Sequence, residues 1–212
     1  YYFGETGDAP TDGAMRTGRQ TVSIDGENYT FYFETSGGKK GRGVTGEEDD
    51  RYYQSGKLLA AGSDEKYQVV MRTNNGTAQD PIYSYALVDD LDDLREKLPV
   101  TVENKDGSKF TYDCLDKSSE VKGLEDQKTD LDEYYKNYGL DINKDAEDID
   151  ELYIFTTTNA AGEESTGLDE DVFFLVNTSG RVVDNKGKSK DGNDYYYVTA
   201  KGGSIMAVYL ED

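Results

Sequence analysis

Tyr1-Tyr2-Phe3, followed by Gly13-Ala14-Met15-Arg16-Thr17-Gly18, sets the pattern on which the fold turns: an aromatic cluster, then a glycine-bearing step. Degenerate copies return at both ends of the chain. A short aromatic hairpin cannot bury its own apolar face in water, so its repetition makes sense where neighbouring copies pack together and present a row of similar grooves. The pattern points to a binding surface.

Phe31-Tyr32-Phe33 echoes Tyr1-Tyr2-Phe3, Thr45-Gly46 echoes Thr17-Gly18, and Tyr52-Tyr53-Gln54-Ser55-Gly56-Lys57-Leu58-Leu59 opens a third copy. Near the other end, Phe173-Phe174-Leu175 leads to Ser179-Gly180-Arg181-Val182-Val183, and Tyr195-Tyr196-Tyr197 leads to Gly202-Gly203-Ser204-Ile205-Met206. The unit is aromatic strand, glycine turn, apolar pair. Tyr29, Phe31 and Phe33 alternate with Thr30, Tyr32 and Glu34, the period of a β-strand, and strands are expected near 29–34, 172–176 and 194–199. Asp25-Gly26, Gly37-Gly38 and Asp191-Gly192 supply the positive φ of tight hairpin turns. Each tyrosine has two readings, as core between repeats or as ligand contact.

The grammar changes between these stretches. Leu87, Val88, Leu91, Leu94 and Leu98 fit one helical face, with Asp89 and Asp90 early, Arg95 and Lys97 late, and Pro99 as a stop, so a helix is expected over 86–97. Val100 and Val102, then Phe110 and Tyr112 across Asn104-Lys105-Asp106-Gly107, read as a hairpin. A second helix is expected over 129–138, with Thr129 and Asp132 as a capping box and Gly139 at its end. A short third helix is expected from Asp145 to Leu152, ahead of the strand Tyr153-Ile154-Phe155-Thr156-Thr157. The expected architecture is therefore mainly β: stacked, solenoid-like β-hairpin repeats over 1–72 and 172–212, with an α+β insert over 73–171.

Composition narrows the function. The chain has 212 residues, 35% of them hydrophobic, enough for packed cores. Its 44 acidic and 23 basic residues give a net charge of -21, which repels nucleic-acid backbones and anionic lipid. That charge suits either a solvated exterior or a cationic or mixed-charge polymer. No apolar run approaches a membrane span, and no secretion signal is visible, although the chain opens within a repeat and further sequence carrying a signal is expected ahead of Tyr1. The absence of histidine removes Ser/His/Asp and Cys/His catalysis and the commonest zinc and iron sites. Cys114 is the one cysteine and reads as a structural thiol. Tryptophan is absent while tyrosine reaches 18, suiting half-open grooves with one dry and one wet side.

Gly13-Ala14-Met15-Arg16-Thr17-Gly18-Arg19-Gln20, the aromatic runs and the Ser-Gly-Arg-Val-Val element together resemble the cell-wall-binding repeats of choline-binding and glucan-binding surface proteins of Gram-positive bacteria. The resemblance covers somewhat over half the chain. It implies hairpins stacked into a solenoid, ligand sites between successive hairpins, and a secreted, non-catalytic module that holds a surface protein to teichoic acid, peptidoglycan or glucan. Tyr32, Tyr53 and Tyr196 are the candidate ligand contacts, and no cofactor or metal is expected. The family's tryptophan after Thr-Gly is replaced by Arg19 and Glu47, which weakens any aromatic cage for a quaternary ammonium. The steps at Thr17 and Thr45 also stand farther apart than the roughly twenty residues of a compact repeat.

Other chemistries compete. Asp141-Ile142-Asn143-Lys144-Asp145 begins like a calcium loop, yet Ala146 stands where glycine is needed and Leu152 where a bidentate glutamate is needed. Asp89, Asp90, Asp92 and Asp93 read as a polar helix face. A carboxylate-pair glycosidase needs only two acids, but no pair stands out. Asn28-Tyr29-Thr30, Asn75-Gly76-Thr77 and Asn177-Thr178-Ser179 fit glycosylation acceptors. The insert is the place for the main alternative function, adhesion or binding of a partner protein.

Overall fold

A computed structural model describes residues 1–4, 13–124, 128–140, 142, 149–184 and 187–211. In chain order the elements are β1 (Gly18–Ile24), β2 (Glu27–Phe33), β3 (Gly46–Glu48), β4 (Arg51–Gln54), β5 (Lys57–Leu58), β6 (Tyr67–Asn74), β7 (Tyr83–Leu87), α1 (Leu91–Glu96), β8 (Val100–Glu103), β9 (Lys109–Asp116), α2 (Ser118–Lys122), α3 (Lys128–Asn137), β10 (Ile149–Asn159), β11 (Glu164–Thr166), β12 (Phe173–Asn177), β13 (Gly187–Lys190), β14 (Tyr195–Thr199) and β15 (Ile205–Glu211). The protein is mainly β, built from antiparallel sheets.

An N-terminal sheet runs β1-β2-β5-β4-β3. Its turns explain its shape. Asp25 and Gly26, Asp49 and Asp50, and Ser55 and Gly56 all have positive φ, the backbone that a two-residue hairpin needs to match strand twist. The strands β1 and β2 pair over their full length, from Gly18 opposite Phe33 to Ile24 opposite Glu27.

A middle sheet, β12-β6-β7, joins segments far apart in sequence, with Phe173 opposite Met71 and Asn177 opposite Tyr67. The large sheet runs β13-β14-β15-β10-β9-β8, and β11 continues beside β10 where β15 leaves it. Strand pairing thus crosses the limits at 72/73 and 171/172.

Alternation along the strands explains how these sheets stack. In β12, Phe173 and Leu175 enter the core between the middle and large sheets, while Phe174 and Val176 enter the layer facing the N-terminal sheet. In β10, Tyr153 and Phe155 join the former core, and Leu152 and Ile154 face the layer beneath α2 and α3 with Val121, Leu131 and Tyr135. Such strands are apolar on both faces because both faces are covered. Three of the quoted aromatic-glycine stretches form hairpins: β4 with β5, Val176 bridged to Val182, and β14 with β15.

The helix expected over 86–97 is shorter than its apolar pattern. Ala86 and Leu87 lie in β7, paired with Met71 and Val70, and α1 starts only after Asp90, whose Oδ1 accepts from Asp93 N at 2.8 Å. Leu87 and Val88 satisfy both periodicities, and the cap at Asp90 decides between them. The expected helix at 129–138 corresponds to α3; the Thr129 side chain of its capping box lies outside the described residues. Of the expected helix over 145–152, residues 145–148 lie outside the described residues, and Ile149 to Leu152 form the start of β10. The calcium-like loop also falls there, apart from Ile142. Gly37-Gly38 sits in a short 3-10 turn instead of a hairpin, and the Asp191-Gly192 turn places its positive φ at Asp194.

Candidate functional site

Tyr32 sits where two hairpins of the N-terminal sheet meet. Its backbone binds both sides of the junction: Tyr32 N donates to Gly56 O at 2.8 Å, and Val44 N donates to Tyr32 O at 3.1 Å. The half-buried ring lies 5.6 Å from that of Tyr53 at 51°. Tyr53 itself is 0% exposed, which corrects its assignment as a ligand contact: it supports Tyr32 from within. Across the strand pair from Tyr32 stands Arg19, whose Nη2 reaches Asp49 Oδ2 at 3.1 Å. Burial, and then the carboxylates of Glu48 and Asp49, push the Tyr32 hydroxyl above its usual pKa, so at neutral pH it is a neutral donor.

Period-two alternation sends Tyr29, Phe31 and Phe33 to the other face of β2. There Phe33 stacks between Phe31, at 6.0 Å and 11°, and Tyr2, at 6.2 Å and 17°. Lys57 Nζ lies 4.6 Å from the Tyr29 ring centroid, and Tyr29 OH donates to Glu27 Oε2 at 2.6 Å. Tyr2, Tyr29 and Phe31 are half-buried, so this row of near-parallel rings is open to solvent on one side. The alternation in 29–33 carried the signal for this row, which the choice of single tyrosines passed over.

Tyr196 belongs elsewhere. On β14 it stacks on Tyr209 at 4.9 Å and 9°, with Lys190 Nζ 5.1 Å from its centroid, in the layer beneath the helices. The structure brings Tyr32 and Tyr53 together and leaves Tyr196 on a different sheet.

A second feature is an open groove of about 880 Å³ between β8 and the hairpin β6–β7. Met71, Val172, Val100 and Val102 line it where the central core reaches the surface. Tyr83, 40% exposed, carries the Arg72 guanidinium 4.5 Å from its ring centroid. The loop between β6 and β7 is braced by Asn74, whose Oδ1 accepts from Gly76 N at 2.9 Å and Ile82 N at 3.1 Å, while Nδ2 donates to Thr77 O at 3.1 Å. Asp106, at the far end, is held below the usual carboxylate range by Ser108, whose hydroxyl and backbone N–H both bond to it. The groove escaped the sequence reading because assigning Ala86 and Leu87 to a helix over 86–97 ended β7 early and left Tyr83-Ser84-Tyr85 without an element.

What these features offer chemically is recognition: ring faces, hydroxyls, amides and ionised carboxylates. Asp191 has a carboxyl pushed up, by burial first, but its oxygen accepts from Asn193 N and Tyr195 N and so braces a turn. Cys114 is half-buried and its thiol is pushed up to about 11 by burial, which keeps it a poor nucleophile at neutral pH. Among the described residues no cluster of three His, Cys, Asp or Glu side chains is arranged to hold a metal ion, and no helix is long and apolar enough to cross a membrane. No family model, curated protein or solved structure matches the chain.

Proposed function

We propose that the chain is a non-catalytic module that binds a cell-wall polymer or related polysaccharide and so holds a secreted bacterial protein at the cell surface. The observation that carries this reading is the half-open aromatic surface of the N-terminal sheet, the row Tyr2, Phe33 and Phe31 on one face and Tyr32 at the hairpin junction on the other. Rings held by strand pairing lose little freedom on binding and offer apolar faces to the C–H faces of sugars. Here the hairpins β1–β2 and β3–β4 follow one another with a tyrosine between them, the arrangement that the resembled repeats use for their ligands. On this reading Tyr32 is the principal contact, Tyr53 its support, and the stacked-repeat arrangement is confined to the N-terminal sheet.

Salt and choline separate the possible modes. Ring stacking persists in salt, whereas attraction of a chain of net charge -21 to cationic wall substituents fades as the Debye length falls from about 10 Å at 0.1 M to about 3 Å at 1 M. Retention on purified Gram-positive walls is expected to persist in molar salt, to resist millimolar choline because Arg19 occupies the cage wall, and to fall at least about tenfold in a Tyr32→Ala, Phe31→Ala double variant. Failure of the folded wild-type protein to bind walls or glucans would overturn the proposal, and elution by choline would restore the resembled family's usual ligand.

A further inference from the structure

The groove beside β8 is independent of the aromatic surface, and its backbone gives it a specific character. Among the described residues β8 pairs only with β9 in the large sheet and forms one edge. Asn104 N donates to Ser108 O at 2.8 Å, which fixes which residues face the partner. Antiparallel pairs alternate between bonded and non-bonded, so the pairs Val102–Phe110 and Val100–Tyr112 exchange hydrogen bonds, while Thr101–Thr111 and Glu103–Lys109 do not. The close approach of Thr101 Oγ1 to Thr111 Oγ1, 2.9 Å, fits a non-bonded pair. The N–H and C=O groups of Thr101 and Glu103 therefore point away from β9, along the open edge.

We propose that this edge binds an extended, cationic peptide segment by strand addition, with basic and apolar side chains alternating. Side chains of an added strand would follow the alternation of β8 itself. One set would lie on the side of Val100 and Val102, over the apolar floor completed by Met71 and Val172. The other set would lie on the side of Glu103. Charge selects the sign. Three carboxylates, Glu103, Asp106 and Asp171, line the groove against Arg72 and Lys105. Arg72 already faces Tyr83 and approaches Asp171 at 3.9 Å, and Glu103 has Lys109 at 3.1 Å as its neighbour outside the groove. The surrounding field of a chain with net charge -21 adds to the preference for a basic segment. The braced loop at Asn74 keeps the opposite wall in place before the ligand arrives, which lowers the ordering cost of binding.

The test uses the whole chain and an acetylated, amidated Lys-Val-Lys-Val-Lys-Val-Lys peptide, followed by amide NMR at low salt. Binding is expected to shift the amides of residues 100–106 and 71–83 and to slow hydrogen exchange at Thr101 and Glu103. N-methylation of alternate peptide nitrogens on the pairing edge should weaken binding at least about tenfold, while methylation on the other edge should not. Glu103→Lys should weaken it about three- to tenfold and leave wall retention unchanged. A Glu-Val peptide should not bind. Absence of binding by the lysine peptide, equal effects of both N-methylated forms, shifts scattered over the acidic surface, or displacement of the peptide by glucan would each overturn the proposal.

Discussion

The N-terminal sheet and the paired middle and large sheets are written in the same aromatic-glycine grammar, yet they use it in opposite ways. In β2 only the last residue, Phe33, is buried, whereas four successive residues of β12, Phe173 to Val176, are buried. The difference lies in what covers each face. β12 is enclosed by core on both sides, so its rings are spent on cohesion. Both faces of β2 are only partly covered, so Tyr29 and Phe31 on one and Tyr32 on the other remain reachable. A repeated aromatic motif can therefore offer ring faces to solvent only where the architecture leaves them uncovered; elsewhere the same residues are interior.

The sharpest way to break this contrast is to truncate one ring in each region. Phe173, 0% exposed, should cost about 3–5 kcal/mol as Phe173→Ala because a cavity is left in a packed core. Phe31→Ala should cost about 1 kcal/mol or less, since its ring is only half-buried and solvent can refill the space. Urea unfolding measures both, and equal losses would erase the distinction.

High pH sharpens the contrast through the tyrosines. Burial is the first cause that pushes Tyr52, Tyr135 and Tyr153 up to about 12. A folded pKa above the unfolded value, near 10, means that the stabilisation is complete below pH 10 and is lost as pH climbs through about 12. Absorbance of tyrosinate should rise late, together with loss of circular dichroism, for Tyr52, Tyr135 and Tyr153. A single titration of all 18 tyrosines near pH 10 with the fold intact would contradict this.

Smaller effects test the junctions. A Cβ at Gly43 would collide with the backbone of Ser55 and Gly56, where the two N-terminal hairpins touch, so Gly43→Ala should cost about 1–3 kcal/mol and reduce wall retention along with it. Loss of stability without loss of retention would separate Tyr32 from the proposed site. Asp90→Ala removes the cap of α1 and should cost about 1 kcal/mol, with no effect on retention.

The sequence was readable where one physical rule acted alone. Alternation with an Asp-Gly turn gave β1–β2, and the Ser55-Gly56 step gave β4–β5, because two-residue turns impose their own backbone. It misled at 86–90, where Leu87 and Val88 fit a helix and a strand alike and pairing with β6 was needed to choose. Long-range partners were hidden altogether: nothing in Phe173-Phe174-Leu175 names Met71, Val70 and Val69 as the strand it meets. For the candidate site, Tyr32 was legible from its aromatic run, while the depth of Tyr53 and the placement of Tyr196 depended on which sheet covered which face.

The pairing of β6 with β12 also has a consequence in time. During synthesis the hairpin β6–β7 emerges long before β12, so one edge of β6 and the apolar side chains of Val69, Val70 and Met71 wait without their partner strand. Loop closure over so long a span is slow, and the exposed edge is a template for unwanted pairing in the interval. A nascent chain of this kind gains from delayed collapse, and the dense negative charge that keeps its copies apart serves the unfinished molecule as much as the finished one.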